Sequence, residues 1–304
     1  MMVNDSENNL IMFACETNLR VLCELDTFFV DGTFKYSAKH FLQFFTLHGI
    51  RSGHYIPLAF FLLNSKSCTA YEHCFRTLRN ECFKLNLSFQ PRVVFTDFEQ
   101  AIHASLRAVW PEVNIKGCRF HLAQAWWRQI QALRLSSEYK NKTDVGRFLS
   151  HIFGLPMLNK EAVEDCFLDD FMANMPDDER VIKLMDYLTD YYIDSQSSFP
   201  PEMWADMTSS AVRTTNACES FHSRFNNSFY CPHPDIFTFL EALKNFQIDT
   251  NIAIRTSQDV ERRLRPVDKR RIAYIEDTIR KYVANEIERF HFIKIMAVSY
   301  KPII

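Results

Sequence analysis

The sequence has no long apolar run. Its 304 residues are 47% hydrophobic, yet no uninterrupted apolar segment reaches the roughly 18 residues that a membrane-spanning helix needs. The N-terminal stretch MMVNDSENNL also lacks the basic and apolar regions of a secretory signal peptide. We therefore expect a soluble protein that is made without secretion and remains inside the cell.

A disulfide framework is missing as well. The nine cysteines, an odd number, are scattered from Cys15 to Cys231 without regular spacing. In a chain that can bury a sizeable core, such cysteines are typical of reduced thiols in an intracellular protein. Internal repeats and low-complexity tracts are also absent. The composition therefore indicates one large globular domain, or one domain with an insertion.

The chain carries no marked excess of charge, because its formal net charge is -2 at pH 7. This value argues against a uniformly basic nucleic-acid binder. The local distribution is uneven: residues 160–206 are strongly acidic, whereas residues 255–281 are rich in arginine and lysine. Solvated helix faces explain either run taken alone, and the basic run is also suited to a phosphate backbone.

Apolar runs rich in aromatic residues dominate the first third of the chain. TFFVDGTFKYS, LQFFTLHGI and HYIPLAFFLL predict three consecutive strands, with RSGH as the turn between the last two. TAYEHCFRTLRNEC then has the apolar spacing of a helix. RVVFT predicts a fourth strand, FEQAIHASLRAVW a second helix and VNIKGC a fifth strand. The predicted order is β-β-β-α-β-α-β, preceded by a helical lead over residues 1–26.

Helical patterns prevail after this region. We predict an all-helical insertion over residues 122–206 and a helical C-terminal region over residues 227–304, with breaks at prolines. Residues 27–121 form the first part of the core, and a helix within residues 207–226 completes it. The expected fold class is α/β, with a mixed five-stranded sheet flanked by helices.

Three acidic residues are candidates for chemistry. Asp31 ends the first apolar run, Asp97 follows the fourth strand, and Glu219 lies in the first turn of a predicted helix. Each also has an ordinary explanation. Asp31 suits a turn with the glycine that follows it, Asp97 can cap the next helix, and Glu219 can reach back to Asn216.

The predicted strand order favours a joint role for these acids. A fourth strand parallel to the first would bring Asp31 opposite Asp97, and a helix packed on the sheet would bring Glu219 to the same place. Clustered carboxylates repel each other unless cations bridge them, and hard oxygen ligands select Mg²⁺ or Mn²⁺. Two such ions about 3.5–4 Å apart support phosphoryl transfer. The predicted substrate is a nucleic-acid backbone. A nuclease that cleaves RNA or RNA–DNA hybrids would use the same site chemistry and is a further interpretation.

Five motifs occur in order along the chain: FFVDGTFK, FTDFEQA, GCRFHLAQAWWRQIQ, RTTNACESFH and HPDIFTFLEALKNFQ. Together they make the chain resemble the transposase domain of the Mutator-like element (MULE) family. The resemblance implies an RNase H-like fold with a catalytic Asp-Asp-Glu triad, here Asp31, Asp97 and Glu219. It implies a DDE-type DNA transposase that uses two Mg²⁺ or Mn²⁺ ions to cleave and transfer DNA strands.

The resemblance also sets expectations about partners. We expect double-stranded DNA at transposon ends and target sites, no membrane and no small-molecule substrate, a homo-oligomer that brings two ends together, and a nuclear location. RTTN stands where the family has RTNN, which places Thr215 before the retained Asn216. Residues 1–26 are too few for the zinc-binding DNA-recognition module of related transposases. The alternative is therefore a domesticated DNA-binding or regulatory protein without catalytic turnover.

Cys118 and His121 match the family's Cys-x2-His motif. With Cys218 and His222 they include the ligand types of a structural zinc site, although the long spacing between the two pairs makes zinc the weaker interpretation. The resemblance instead implies that His121 lies near the active site, where it contacts DNA or supports the metal ligands. A histidine with a purely structural role is the third interpretation.

Further candidates for DNA contact lie on helices. Trp127 falls off the predicted apolar face of its helix, so with Arg128 it can stack on an unpaired base, although a core position is the ordinary explanation. The basic C-terminal run is expected to contact phosphates. Its candidate residues are Arg262, Arg263, Arg270 and Arg271.

Overall fold

A computed structural model of the chain describes residues 2–210 and 216–300, apart from the side chains of residues 2, 216, 217, 219 and 259. The chain divides into two compact units. The core unit comprises residues 1–116 and 214–263, and the helical unit comprises residues 117–213 and 264–304.

The described residues form one sheet of seven strands. The strands are β1 (Met2–Asp5), β2 (Leu10–Phe13), β3 (Thr27–Thr33), β4 (Gln43–Arg51), β5 (His54–Leu63), β6 (Val93–Thr96) and β7 (Asn114–Gly117). Across the sheet they follow the order β1-β2-β5-β4-β3-β6-β7. Neighbours from β1 to β3 in this order are antiparallel, and β3 pairs with β6 in parallel. The mixed sheet and its flanking helices confirm the predicted α/β class.

The α-helices of the described ranges are α1 (Glu16–Cys23), α2 (Cys68–Lys84), α3 (Gln100–Val109), α4 (Arg119–Ala132), α5 (Ser136–Asn141), α6 (Asp144–Ile152), α7 (Val163–Asp165), α8 (Glu179–Leu188), α9 (Pro201–Trp204), α10 (Asn216–Asn226), α11 (Ile236–Asp259), α12 (Pro266–Val283) and α13 (Arg289–Ser299). Shorter 3-10 turns lie at Leu155–Met157, Lys160–Ala162 and Met172–Asn174, and π-helical turns lie at Cys166–Phe171 and Thr189–Ile193. In the described ranges, no helix is both long and apolar enough to cross a bilayer.

Two strands go beyond the five that the sequence predicts. They lie in residues 1–26, where the predicted helical lead is helical only at Glu16–Cys23 and begins as a hairpin of β1 and β2. Leu10 and Met12 are buried, and β2 pairs with the end of β5, so the hairpin extends the sheet. The apolar run of β2, Leu10–Phe13, does not alternate with polar residues, so its pattern alone does not distinguish a strand from a buried helix.

Two consecutive phenylalanines of β4 show which helices cover each face of the sheet. Side chains alternate between faces along a strand, so Phe44 and Phe45 of β4 point in opposite directions. The Phe45 ring lies 5.1 Å from that of Tyr71 on α2. The Phe44 ring lies 4.8 Å from that of Phe225 on α10 and 5.0 Å from that of Phe239 on α11. Helix α2 therefore covers one face, while α10 and α11 cover the other.

The buried face of α2 matches its sequence pattern. Tyr71, Cys74, Phe75, Leu78 and Cys82 are all buried at a spacing of three or four residues. This confirms the helix predicted from TAYEHCFRTLRNEC. The two cysteines are core thiols, as the composition predicts, and burial raises the pKa of the Cys74 thiol well above its usual value.

In the helical unit, aromatic residues pack around α4. The Trp126 ring is in edge contact with Trp204 at 5.6 Å and with Tyr192 at 5.8 Å. Phe153 completes this cluster at 6.1 Å. The long C-terminal stretch contributes to both units, because α11 belongs to the core unit whereas α12 and α13 belong to the helical unit.

Candidate active site

Asp31 lies within strand β3, not in a turn. Its side chain is 8% exposed and its Oδ2 lies 3.1 Å from Nδ1 of His222. The other carboxylate oxygen, Oδ1, accepts a hydrogen bond of 2.9 Å from the backbone N–H of Gly32. The turn explanation for Asp31 is therefore wrong. The residue is a nearly buried acid in the middle of the sheet.

Asp97 follows β6 directly, at the carboxyl end of the strand that pairs with β3. In this pair Phe29 is aligned with Phe95, and their rings stack on one face with centroids 5.1 Å apart. Asp31 and Asp97 each lie two residues beyond this aligned pair, and Asp97 comes one residue after the end of β6. That the two aspartates are neighbours stays a prediction.

The backbone of Asp97 is held from helix α3. His103, which is 3% exposed, lies with Nε2 2.7 Å from the Asp97 carbonyl oxygen. Burial lowers the pKa of His103 to about 4, so the ring is neutral at neutral pH and Nε2–H donates to the carbonyl. Glu99, not Asp97, occupies the N-cap of α3. The helix-capping explanation for Asp97 is therefore wrong.

Helix α10 supplies His222 to the same region. His222 is 6% exposed and lies on a helix that packs on β3. Glu219 is one turn earlier in α10 and Asn216 begins the helix. The side chains of Glu219 and Asn216 lie outside the described residues, so their predicted roles stay predictions. Among the side chains that the structure describes, no three His, Cys, Asp or Glu residues form a metal-binding group.

A chain of buried polar contacts leads away from Asp31. Beyond His222 it continues through the Thr46 hydroxyl, which lies 3.0 Å from His222 Nε2. His48 Nε2 lies 2.8 Å from the same hydroxyl. Burial, helped by the neighbouring His222, lowers the pKa of His48 to about 3 although Asp31 opposes the shift. His48 is therefore a neutral imidazole. We call these four residues the Asp31–His48 chain.

A third acid lies near Asp97 on the other side. Burial and the charge of Asp97 both raise the pKa of Glu99, while Lys66 opposes the shift. The Tyr71 hydroxyl lies 3.5 Å from the Glu99 carboxylate and donates a hydrogen bond of 2.9 Å to Gln43 Oε1. Burial, followed by the charge of Glu99, raises the pKa of Tyr71, so its hydroxyl stays protonated and donates.

The predicted zinc ligands lie in different units. Cys118 and His121 belong to the helical unit, where Cys118 is buried at the N-cap of α4 and His121 is half-buried. Cys218 and His222 belong to the core unit. Both ring nitrogens of His222 already have protein partners, Asp31 and Thr46, which argues against His222 as a zinc ligand. The role of His121 stays a prediction.

Trp127 does not have the exposure that base stacking requires. It is 7% exposed, and its ring is in edge contact with Tyr139 at 5.0 Å. This burial contradicts the predicted stacking of Trp127 on DNA, because Trp127 is buried on α4 just as Trp126 is. Arg128 is exposed, and its Nη2 donates to Gln124 Oε1 at 2.7 Å.

The predicted phosphate contacts are all at the surface. Arg262 and Arg263 are exposed at the end of the core unit, and the Arg262 backbone N–H donates to the Ser52 carbonyl at 2.9 Å. Arg270 and Arg271 are exposed on α12 of the helical unit. The Arg271 guanidinium also donates to the Ser299 carbonyl.

Three residues of the site were missed in the sequence. Thr46 and His48 are fully buried polar residues on the face of β4 that Phe44 also occupies. His103 lies on the buried face of α3, beside Ile102. The available signal was the same for all three, namely a polar side chain at a position that the apolar pattern assigns to the core.

A protein-family model matches part of the chain. Residues 27–125 match the model of the MULE transposase domain. The match confirms the resemblance over this segment, which contains Asp31 and Asp97, and indicates a transposase-related function that implies DNA binding. No curated protein matches the chain.

Proposed function

We propose, starting from a MULE transposase domain over residues 27–125, that the core unit is the catalytic domain of a DDE-type transposase. Asp31, Asp97 and Glu219 would bind two magnesium or manganese ions and act on double-stranded DNA. The observation that carries this proposal is the parallel pairing of β3 with β6, in which Phe29 is opposite Phe95; this register, continued by two residues, would set Asp31 beside Asp97. Two carboxylates so placed repel each other and fit hard divalent cations.

The position of Glu219 in α10 supports it as the third carboxylate. Glu219 comes three residues before His222 in α10, a helix that packs against β3. His222 is in direct contact with Asp31. In this proposal the Glu219 carboxylate would complete the ligand set.

The strand order supports an RNase H-like core. Strands β3, β4 and β5 form an antiparallel meander, and β6 pairs in parallel beside the first of them. With β7 at the outer side, this strand order supports the RNase H-like core that we propose. The β1–β2 hairpin is then an addition at the far edge.

In this proposal the protein's own groups position both ions and DNA. Bound ions would supply the electrostatic stabilisation of an in-line displacement at phosphorus. His222 and His103 hold the carboxylate of Asp31 and the backbone of Asp97, respectively. The exposed arginines, Arg262, Arg263 and Arg270, would attract the phosphate backbone. Joining two transposon ends would need a homo-oligomer, and the substrate implies a nuclear location.

Nicking of a labelled DNA duplex tests the proposal. The purified protein should nick DNA with Mg²⁺ or Mn²⁺ and lose this activity in Asp97→Asn and Asp31→Asn, each checked for folding by circular dichroism. Asp26→Asn is the matched control. Asp26 lies just before β3, but its side chain is 71% exposed and forms an ion pair with Arg92, so its replacement should leave nicking unchanged. Equal nicking by wild type and folded Asp97→Asn would refute the assignment.

A further inference from the structure

The Thr46 hydroxyl lies at a junction of three contacts behind the proposed metal ligands. It is 3.0 Å from His222 Nε2, 2.8 Å from His48 Nε2 and 3.2 Å from the carbonyl oxygen of Asp31. Thr46 and His48 are at most 1% exposed. Unmet hydrogen bonds at such depth cost roughly 1–3 kcal/mol each, so the direction of these contacts is strongly constrained.

The Thr46 hydroxyl carries one hydrogen, and a carbonyl oxygen can only accept, so this hydrogen is donated to the Asp31 carbonyl. The hydroxyl oxygen also lies within hydrogen-bond distance of Nε2 of His222 and Nε2 of His48. Through Nδ1 the His222 ring contacts the Asp31 carboxylate. Thr46 is therefore in contact both with the backbone of Asp31 and with the imidazole that contacts its side chain.

We propose that Thr46, with His48 behind it, is a positioning residue that holds the ring of His222 in place and thereby orients the Asp31 carboxylate for a divalent cation. This inference rests on the proposed function and deepens it. Thr46 and Asp31 are directly opposite each other on paired strands, whereas His222 comes from α10. The chain therefore links the helix that carries Glu219 to the strand that carries Asp31.

Substitutions at Thr46 separate this role from simple core filling. Thr46→Val keeps the shape and removes the hydroxyl, whereas Thr46→Ser keeps the hydroxyl. Thr250→Val is the matched control, because Thr250 is also a buried threonine of the core unit whose hydroxyl donates to a backbone carbonyl, that of Phe246, at 3.0 Å. His222→Asn retains a donor near the Nδ1 position, while His222→Gln places its amide near the Nε2 position.

Mn²⁺ binding, measured by calorimetry without DNA, is the first readout. Removal of a residue that hydrogen-bonds to a metal ligand typically weakens metal affinity about 10–100-fold. We expect about a tenfold weakening in Thr46→Val, near-normal affinity in Thr46→Ser and Thr250→Val, and a smaller loss in His222→Asn than in His222→Gln. If Thr46→Val does not fold, the His222 pair tests the same chain.

The His222 ring provides a readout that needs no metal. Histidine ¹H–¹⁵N NMR of the metal-free protein should show the His222 signal changed in Thr46→Val but not in Thr250→Val. Equal Mn²⁺ affinity of Thr46→Val and wild type, or an unchanged His222 signal in Thr46→Val, would overturn the positioning role alone. A folded wild type that binds no Mn²⁺ would overturn this inference together with the proposed function.

Discussion

Replacing His48 by glutamine should make the free energy of unfolding of the core unit less dependent on pH. His48 is 1% exposed, and burial and His222 lower its pKa to about 3 against the opposing effect of Asp31. The unfolded chain has a histidine pKa of about 6.5. A group whose pKa is lower in the folded state stabilises the fold above the unfolded pKa, and this stabilisation is lost as the pH falls toward the folded pKa.

The size of the effect follows from the two pKa values. Between pH 7 and pH 5 the unfolded chain takes up the His48 proton and the folded chain does not, so the free energy of unfolding falls by about 2 kcal/mol from this residue. Glutamine does not titrate, but its amide can still donate to Thr46. Between pH 7 and pH 5, the free energy of unfolding of His48→Gln should therefore fall by about 2 kcal/mol less than that of wild type.

Urea denaturation at pH 7 and pH 5, followed by circular dichroism, measures the effect. Other carboxylates and histidines titrate in both proteins, so the difference between the two pH-dependent losses isolates His48. A change in packing, such as the lost contact of the His48 ring with Phe221 at 5.1 Å, affects both pH values and cancels. Parallel losses in wild type and His48→Gln would refute the assignment of His48 as a neutral buried imidazole.

Three further outcomes can be checked with single variants. Gly32→Ala should lower the free energy of unfolding in urea by roughly 1–3 kcal/mol, because a Cβ at Gly32 would meet Gln43 Nε2 at 1.9 Å; an unchanged midpoint would contradict the close approach. Trp127→Phe should leave DNA affinity unchanged in a filter-binding assay, since Trp127 packs on Tyr139, and a large loss would restore its predicted stacking role. Arg270→Ala should reduce the salt dependence of DNA binding by about one phosphate contact, and an unaltered slope would remove Arg270 from the interface.

The central strands could be predicted because their signals are local. Aromatic-rich runs separated by a turn predict β3, β4 and β5, whereas the expected meeting of Asp31 and Asp97 depends on β6 running parallel to β3. The turn and cap explanations of the two acids were wrong, because the sequence does not show that Asp31 lies inside β3 or that Glu99 is the N-cap of α3.

The polar support of the site could not be predicted because it depends on distant contacts. Thr46 and His222 are 176 residues apart in the sequence, and nothing local indicates that they meet. Trp127 was misplaced for a similar reason: helical periodicity describes one buried face, whereas α4 is covered on a second side by Tyr139. The β1–β2 hairpin was missed because the apolar run of β2, Leu10–Phe13, does not alternate, so its pattern does not distinguish a strand from a buried helix.

The hairpin has a practical consequence for work on this protein. Strand β5 is the longest of the sheet, and its final residues, Phe60–Leu63, pair with β2 on one side and with β4 on the other. Expression from a start point between Phe13 and Thr27 would leave this FFLL segment with a bare backbone edge, which is a template for intermolecular strand pairing. Such a shortened protein should aggregate, even though every residue of the candidate active site is retained.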